Sequence, residues 1–219
     1  NADSRQVYRR MDIGTAKPTS EERRLVPHHL YDIADPTETY SLALYQRDAR
    51  AALEAIWARG SFAWLVGGTG QYVWSLLEDW HVPEVPPDAL LRADLTALAA
   101  REGANVLHAR LHEVDPAAAG RIDARNVRRV VRALEVYRHT GLPISRWQRK
   151  GSPDFEYLLF GVRVSRDELN RRIDERVDAM FEAGFVAEVQ ALLAAGLPRA
   201  APAMSSIGYG AVARYLDGE

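Results

Sequence analysis

The chain of 219 residues contains no cysteine. Disulfide bridges and thiolate metal sites are therefore excluded, which suits a reducing, cytoplasmic setting. Long apolar runs are lacking too. The longest stretches hold about five residues, against roughly twenty for a membrane-spanning helix, so no membrane association is expected. There is no secretory leader pattern, no internal repeat and no low-complexity tract. Charge of one sign is also missing in bulk: 28 basic and 30 acidic residues leave a net charge of -2. A uniformly basic surface is ruled out, and any contact with nucleic acid has to come from a local patch. What remains, 47% apolar and 26% charged residues, is the composition of a soluble globular protein, long enough for one domain or a domain with a sizeable insertion.

The first eighteen residues, NADSRQVYRRMDIGTAKP, look unlike core. Val7, Met11 and Ile13 are their clearly aliphatic members. Asp3, Ser4 and Gln6 put a proton acceptor, a hydroxyl and an amide within four residues, while Gly14, Thr15 and Lys17 offer the flexible backbone and the cation that a phosphate group needs. A short helix is expected from Thr19 or Ser20 to Leu25, then a strand over 28–33. His28 and His29 are adjacent on that strand and point to opposite faces, so they are not read as metal ligands. Ser41 opens an amphipathic helix that Gly60 closes. The apolar run 62–66 has strand length, and Gly67, Gly68, Thr69 and Gly70 lead from it into a helix over 71–80. Strand, glycine turn and helix form a ligand-binding arrangement, in which glycines allow close backbone approach and the helix start favours anions.

Pro83, Pro86 and Pro87 mark a boundary, after which the pattern is helical: 88–101, 105–113, a third helix from Asp115-Pro116, and 124–139 capped by Asp123. On the last of these, Arg125, Arg128, Arg129 and Arg132 follow one stripe. Between Arg121 and Lys150 nine cations face two acids, Asp123 and Glu135, a local +7 whose simplest use is phosphate contact. Trp147, beside Arg146, Arg149 and Lys150, is either a stacking platform for a base or a pin at a helix end. Residues 151–154 form a second boundary and 157–164 return to strand character. Ser165 and Glu168 suit a capping box for a helix carrying Leu169, Ile173, Val177, Met180 and Phe181 on one face, with Arg172 and Arg176 four apart. A further helix spans 185–195, and a Gly-Tyr turn follows at 204–209. The expected architecture is an α/β core from 1–82 and 154–219, with a mostly helical insertion over 83–153.

Several of these stretches together resemble the tRNA dimethylallyltransferases, also called tRNA isopentenyltransferases. The likeness runs through DS-x-Q-V-Y-x-x-M-D-I-G-T-A-K-P at the start, VGGTG in the middle (here followed by Gln71), the arginine helix ending R-A-L-E-V-Y, the R-x-x-x-R-x-x-x-M helix and the Gly-Tyr turn. It implies a P-loop NTPase-like parallel-sheet core, lacking here the family's N-terminal phosphate loop and its arginine-rich C-terminal end; no G-x-x-x-x-G-K-[ST] motif is present, and the chain opens inside a motif without an initiator Met. It also implies transfer of a dimethylallyl group from dimethylallyl diphosphate, with Mg²⁺, to N6 of the adenosine beside the tRNA anticodon, in a cytoplasmic enzyme expected to be a monomer. Asp3 then serves as the base, with Thr69 beside it, and Lys17, Arg172 and Arg176 meet the diphosphate. The tRNA anticodon stem-loop is assigned to Asp3, Ser4, Arg5, Gln6, Thr69, Arg92, Arg128, Arg129, Val130, Val131, Arg132, Ser205, Ser206, Ile207, Gly208, Tyr209 and Gly210. Arg128 stands where the family commonly has glutamine, which shifts a base contact towards a phosphate contact.

Three other readings compete. An adenylate isopentenyltransferase would use a free nucleotide but has no need of the helical insertion and its +7 stretch. A non-catalytic RNA-binding remnant fits the missing phosphate loop, and a P-loop small-molecule kinase would share the α/β core.

Overall fold

The computed structural model describes residues 1–147 and 149–219. They form two compact units, one of Asn1–Val73 with Phe155–Glu219 and one of Trp74–Asp154. Among the described residues no helix is long and apolar enough to cross a membrane.

The parallel sheet expected from the sequence is not there. Among the described residues β pairing amounts to one isolated parallel bridge between Tyr8 and Ala34, and the protein is mostly helical. Apolar runs become sheet only where a neighbouring strand meets their N–H and C=O groups. Residues 62–66 and 157–164 run without regular structure or a ladder partner, and Phe62, Trp64, Phe160 and Val162 lie largely exposed. The expected strand 28–33 fails for a local reason: Leu30 and Asp32 adopt left-handed backbone angles, φ 65° and 58°, which break an extended run.

The first unit is built on helices α1 (Ser20–Leu25), α2 (Leu42–Trp57), the first half of α3 (Gly70–Leu77), α9 (Arg166–Glu182), α10 (Phe185–Ala194) and α11 (Tyr209–Leu216). Their starts follow capping chemistry. Thr19 and Glu22 close a full capping box on α1, while Ser41 and Ser165 accept from the N–H groups of Leu44 and Glu168. The core of this unit contradicts the first impression of the N-terminal stretch. Val7, Tyr8 and Met11 are buried against Phe185, Val189, Met204, Tyr209 and Val212, so the motif alternates core residues with polar ones and its polar groups inherit a rigid support.

The second unit contains α4 (Ala89–Glu102), α5 (Ala104–Val114), α6 (Pro116–Ala119), α7 (Val127–Thr140) and the single turn α8 (Ile144–Trp147). Leu98, Leu107, Leu111, Val130, Val131 and Val136 form its core. Asn126, not Asp123, caps α7 by accepting from Arg129 N–H; Asp123 is occupied by the backbone and guanidinium of Arg125. Buried Asp115 caps α6 and accepts from Ser145 N–H as well, so one carboxylate ties two helix starts together.

Candidate functional site

Asp3 and the glycine bend are brought together by backbone stitching. Ala2 N–H donates to Val66 O at 2.7 Å, and Thr69 N–H donates back to Ala2 O at 3.0 Å. A Cβ on Gly67 would lie 2.2 Å from the Ala2 carbonyl carbon, so this glycine admits the protein's own chain rather than a substrate. Ser4 N–H then donates to Thr69 Oγ1 at 2.9 Å, and the Thr69 hydroxyl donates to Ser4 Oγ at 3.1 Å. Asp3 is held in the same segment. Its N–H donates to Asn1 Oδ1, and its Oδ1 accepts from Arg5 N–H at 2.7 Å. Oδ2 has no hydrogen-bond partner among the described residues. Two side chains carry the order outward: Arg5 donates to Ser205 Oγ at 3.0 Å, and Gln6 Nε2 donates to the carbonyls of Thr15 and Ala16 at 2.9 and 3.0 Å.

The segment from Asp12 to Lys17 is not a vacant phosphate cradle. The N–H groups of Asp12, Ile13 and Gly14 all point to the carboxylate of Glu188, at 2.7, 2.8 and 3.2 Å. Lys17, with its side chain 2% exposed, spends its ammonium on Asp12, Asp32 and the Tyr8 carbonyl. Burial opposes ionisation of Asp32, but its bonds to Lys17 and Arg23 outweigh that and hold the carboxyl below its ordinary value. Lys17 thus acts as a buttress, and its expected direct contact with a diphosphate does not follow from this geometry. Beside it lies an open cavity of about 710 Å³ whose wall includes Arg9, Arg10, Lys17, Arg23 and Arg176. Arg10 is paired with Asp35 and Arg23 with Asp32, whereas Arg9 and Arg176 have no ion-pair partner among the described residues. Arg172 is tied to Glu168 on its own helix and does not line this cavity.

In the second unit the expected RNA stripe divides. Glu135 is fully buried and accepts from Arg92 Nε and Nη2, at 2.7 and 2.8 Å, from Arg132 at 2.6 Å, and from Asp88 N–H at 2.8 Å. Burial pushes the Glu135 carboxyl up, but Arg92, the Asp88 N–H and Arg132 together override it and bring its pKa down to about 2. Arg132 also donates to the Val85 carbonyl. Arg92 and Arg132 are therefore spent inside the unit, and Val130 and Val131 are core side chains. Of the residues from Arg128 to Arg132, Arg128 and Arg129 are exposed and without ion-pair partners among the described residues.

The turn after α10 is split in the same way. Ser206 and Tyr209 are buried, while Ile207 projects almost wholly into solvent at 95% exposure. Sequence reading missed Glu188, Asp32 and Glu135 as organisers of the site. Glu188 carried no signal beyond being a glutamate on an amphipathic helix, and Glu135 was visible as one of two acids in a strongly basic stretch.

The comparisons with known proteins agree with one another. The family profile described as IPP transferase matches residues 6–219. The tRNA dimethylallyltransferase of Thermomicrobium roseum is 52% identical over all of this chain, which covers 67% of that protein, and that of Chloroflexus aurantiacus is 53% identical, with 74% covered. Among solved structures, the tRNA isopentenylpyrophosphate transferase of Bacillus halodurans matches 99% of this chain and 68% of its own at 40% identity and a TM-score of 0.65. A eukaryotic dimethylallyltransferase acting on tRNA superposes at a TM-score of 0.78 with 26% identity, covering all of this chain and 56% of its own. With a family profile spanning nearly its whole length and relatives above half identity, this chain belongs to the IPP transferase family, that of the tRNA dimethylallyltransferases.

Proposed function

We propose that this chain transfers a dimethylallyl group from dimethylallyl diphosphate to N6 of the adenosine beside the anticodon of tRNA. The observation that carries the reading is the placement of Asp3, with one carboxylate oxygen fixed by Arg5 N–H, the other left open, and the neighbouring residue clamped to Thr69. An adenine amine is a weak nucleophile because its lone pair is delocalised into the ring. A carboxylate that removes its proton as the C–N bond forms lowers that barrier. The departing diphosphate needs positive charge, and the cavity wall offers it in Arg9 and Arg176, with Lys17 fixing Asp12 and Asp32 beside them. Mg²⁺ carried in on the diphosphate, the ion the family resemblance implies, would add positive charge at the leaving group without needing a cluster of three carboxylates or imidazoles, and among the described residues there is none. Because a stacked base cannot reach a pocket, the target base is extruded, and Arg128 and Arg129 hold backbone phosphates. The enzyme acts as a cytoplasmic monomer.

The test uses the natural full-length enzyme, dimethylallyl diphosphate and an unmodified anticodon stem-loop. Asp3→Asn is expected to lower turnover by about 10²- to 10⁴-fold, far more than it lowers RNA affinity, because Asp3 is one of many assigned RNA contacts. Turnover that survives the substitution would sink the assignment of the base. Transfer to free adenylate in preference to RNA, without a fall in acceptor affinity as salt rises, would favour an adenylate isopentenyltransferase.

A further inference from the structure

Glu188 is assigned to no substrate, yet on its carboxylate the turn assigned to tRNA at 205–210 meets the 12–14 segment, which leads into the carbonyls that hold Gln6. Oε2 accepts from Asp12 and Ile13 N–H, while Oε1 accepts from Gly14 N–H and, at 2.6 Å, from the Tyr209 hydroxyl. Three successive backbone N–H groups around one anion form a nest of the kind that elsewhere holds phosphate. Here the protein fills it from α10. On one side the nest continues into Thr15 and Ala16, whose carbonyls fix the Gln6 amide. On the other side Tyr209, fully buried, opens α11 directly after Ile207 and Gly208. Burial, followed by the bond to Glu188, keeps the Tyr209 phenol protonated, so it remains a donor. Packing makes the junction narrow. A Cβ on Gly14 would lie 2.1 Å from the Phe185 ring and 2.6 Å from the Tyr209 ring, and one on Gly208 would lie 2.9 Å from Phe185.

We infer that Glu188 is a positioning residue for RNA recognition, setting the spacing between the 3–6 segment and the turn that carries Ile207; this rests on the proposal that both segments contact tRNA. The carboxylate matters for its chemistry as well as its size. All four of its partners are donors, and an amide of the same shape would present its NH₂ to donors on one side, leaving them unpaired. The displaced elements would be the Gln6 amide and the exposed Ile207, which meet RNA; Asp12 and Ile13 also line the cavity, but its guanidinium groups, on Arg9, Arg23 and Arg176, make no bond to Glu188 and keep their charge at the wall.

The experiment compares wild type, Glu188→Gln, Tyr209→Phe and the double variant in the full-length enzyme, measuring both KM values, kcat, the melting temperature and the affinity for a fluorescent anticodon stem-loop. Glu188→Gln is expected to raise the RNA KM and the RNA dissociation constant by about 10-fold, as unpaired donors would, while the KM for dimethylallyl diphosphate stays within about 2-fold. Tyr209→Phe removes one donor and leaves the nest intact, so its RNA KM rises by about 3-fold. In the double variant the two effects are less than multiplicative, because both act through the same carboxylate. A variant that melts at lower temperature with both KM values unchanged, or with both raised alike, overturns the proposal and leaves Glu188 a fold-holding residue. Should Glu188→Gln fail to fold, Tyr209→Phe decides alone: an unchanged RNA KM overturns the proposal. Wild type that neither binds nor modifies the stem-loop refutes the tRNA reading itself, whereas active wild type with indifferent variants refutes only the role of Glu188.

Discussion

Glu135 and Glu188 use the same functional group in opposite ways. Glu135, in the helical unit, collects side-chain charge: two guanidinium groups and one backbone N–H converge on a carboxylate with no exposed surface. Glu188, in the other unit, collects three backbone N–H groups and a phenol, none of them charged. The first arrangement removes Arg92 and Arg132 from the surface and leaves Arg128 and Arg129 to act outward. The second needs no cation and instead fixes the path of the main chain. The contrast teaches that cationic residues along one basic helix are not interchangeable, since a buried acid decides which of them remain available.

The comparison breaks most visibly at Glu135. Glu135→Gln leaves two guanidinium groups converging on an uncharged amide, and the expected loss is about 3 kcal/mol, the low end for a broken buried pair because both arginines are part-exposed. Chemical denaturation of the two proteins at neutral pH measures it. Acid should then erase the difference. The folded-state pKa of Glu135, about 2, lies below the ordinary value of 4.5, so its ion pairs stabilise fully above the unfolded value and fade as pH falls from there towards 2. The gap between wild type and Glu135→Gln should therefore narrow across that window, and a constant gap would show that charge is not what Glu135 contributes.

Gly14→Ala probes the other carboxylate. The added methyl group overlaps the rings of Phe185 and Tyr209, which must move apart and carry the Tyr209 hydroxyl off Glu188. The expected cost is about 1–3 kcal/mol, read as a lower denaturation midpoint. Phe185→Leu in the same background should restore part of it by making room. Gly68, whose Cβ would meet nothing within 4 Å, is the control position.

These outcomes also bear on how much of the protein was legible in its sequence. Helix starts were, because a cap is a contact over three residues: Thr19 with Glu22 and Ser41 with Leu44 stand as the pattern implies, and Ser165 accepts from Glu168 N–H, although the Glu168 carboxylate turns to Arg171 and Arg172 and does not close the expected box. Asp123 was mistaken for a cap because an acid two residues before an arginine can instead fold back on it, as it does on Arg125. Helix α11 was hidden by Gly210 in its first turn. Residues 62–66 and 157–164 have the composition of strands, but a ladder depends on a partner that composition does not reveal. For the site, the meeting of the Asp3 segment with Thr69 came from resemblance alone, since the Ser4–Thr69 contact, 65 residues apart, leaves no local trace. The core role of Val7, Tyr8 and Met11 was masked by the polar residues between them, and Lys17 read as a substrate contact because nothing nearby in sequence announced that Asp32 would meet it.

The smallest expected effect tests which arginines act outward. Each phosphate neutralised by a protein cation releases counterions from RNA, so the slope of log affinity against log salt counts those contacts. Arg128 and Arg129 are exposed and unpaired among the described residues, and Arg128→Ala and Arg129→Ala should each flatten the slope by about 0.7–0.9 while leaving the melting temperature near wild type. Arg92 and Arg132 are held by Glu135. Their removal should lower the melting temperature, with a slope change well short of a full contact. Equal slope losses at all four positions would mean that RNA draws Arg92 and Arg132 away from Glu135, and the distinction between inward and outward arginines would then describe the unbound protein alone.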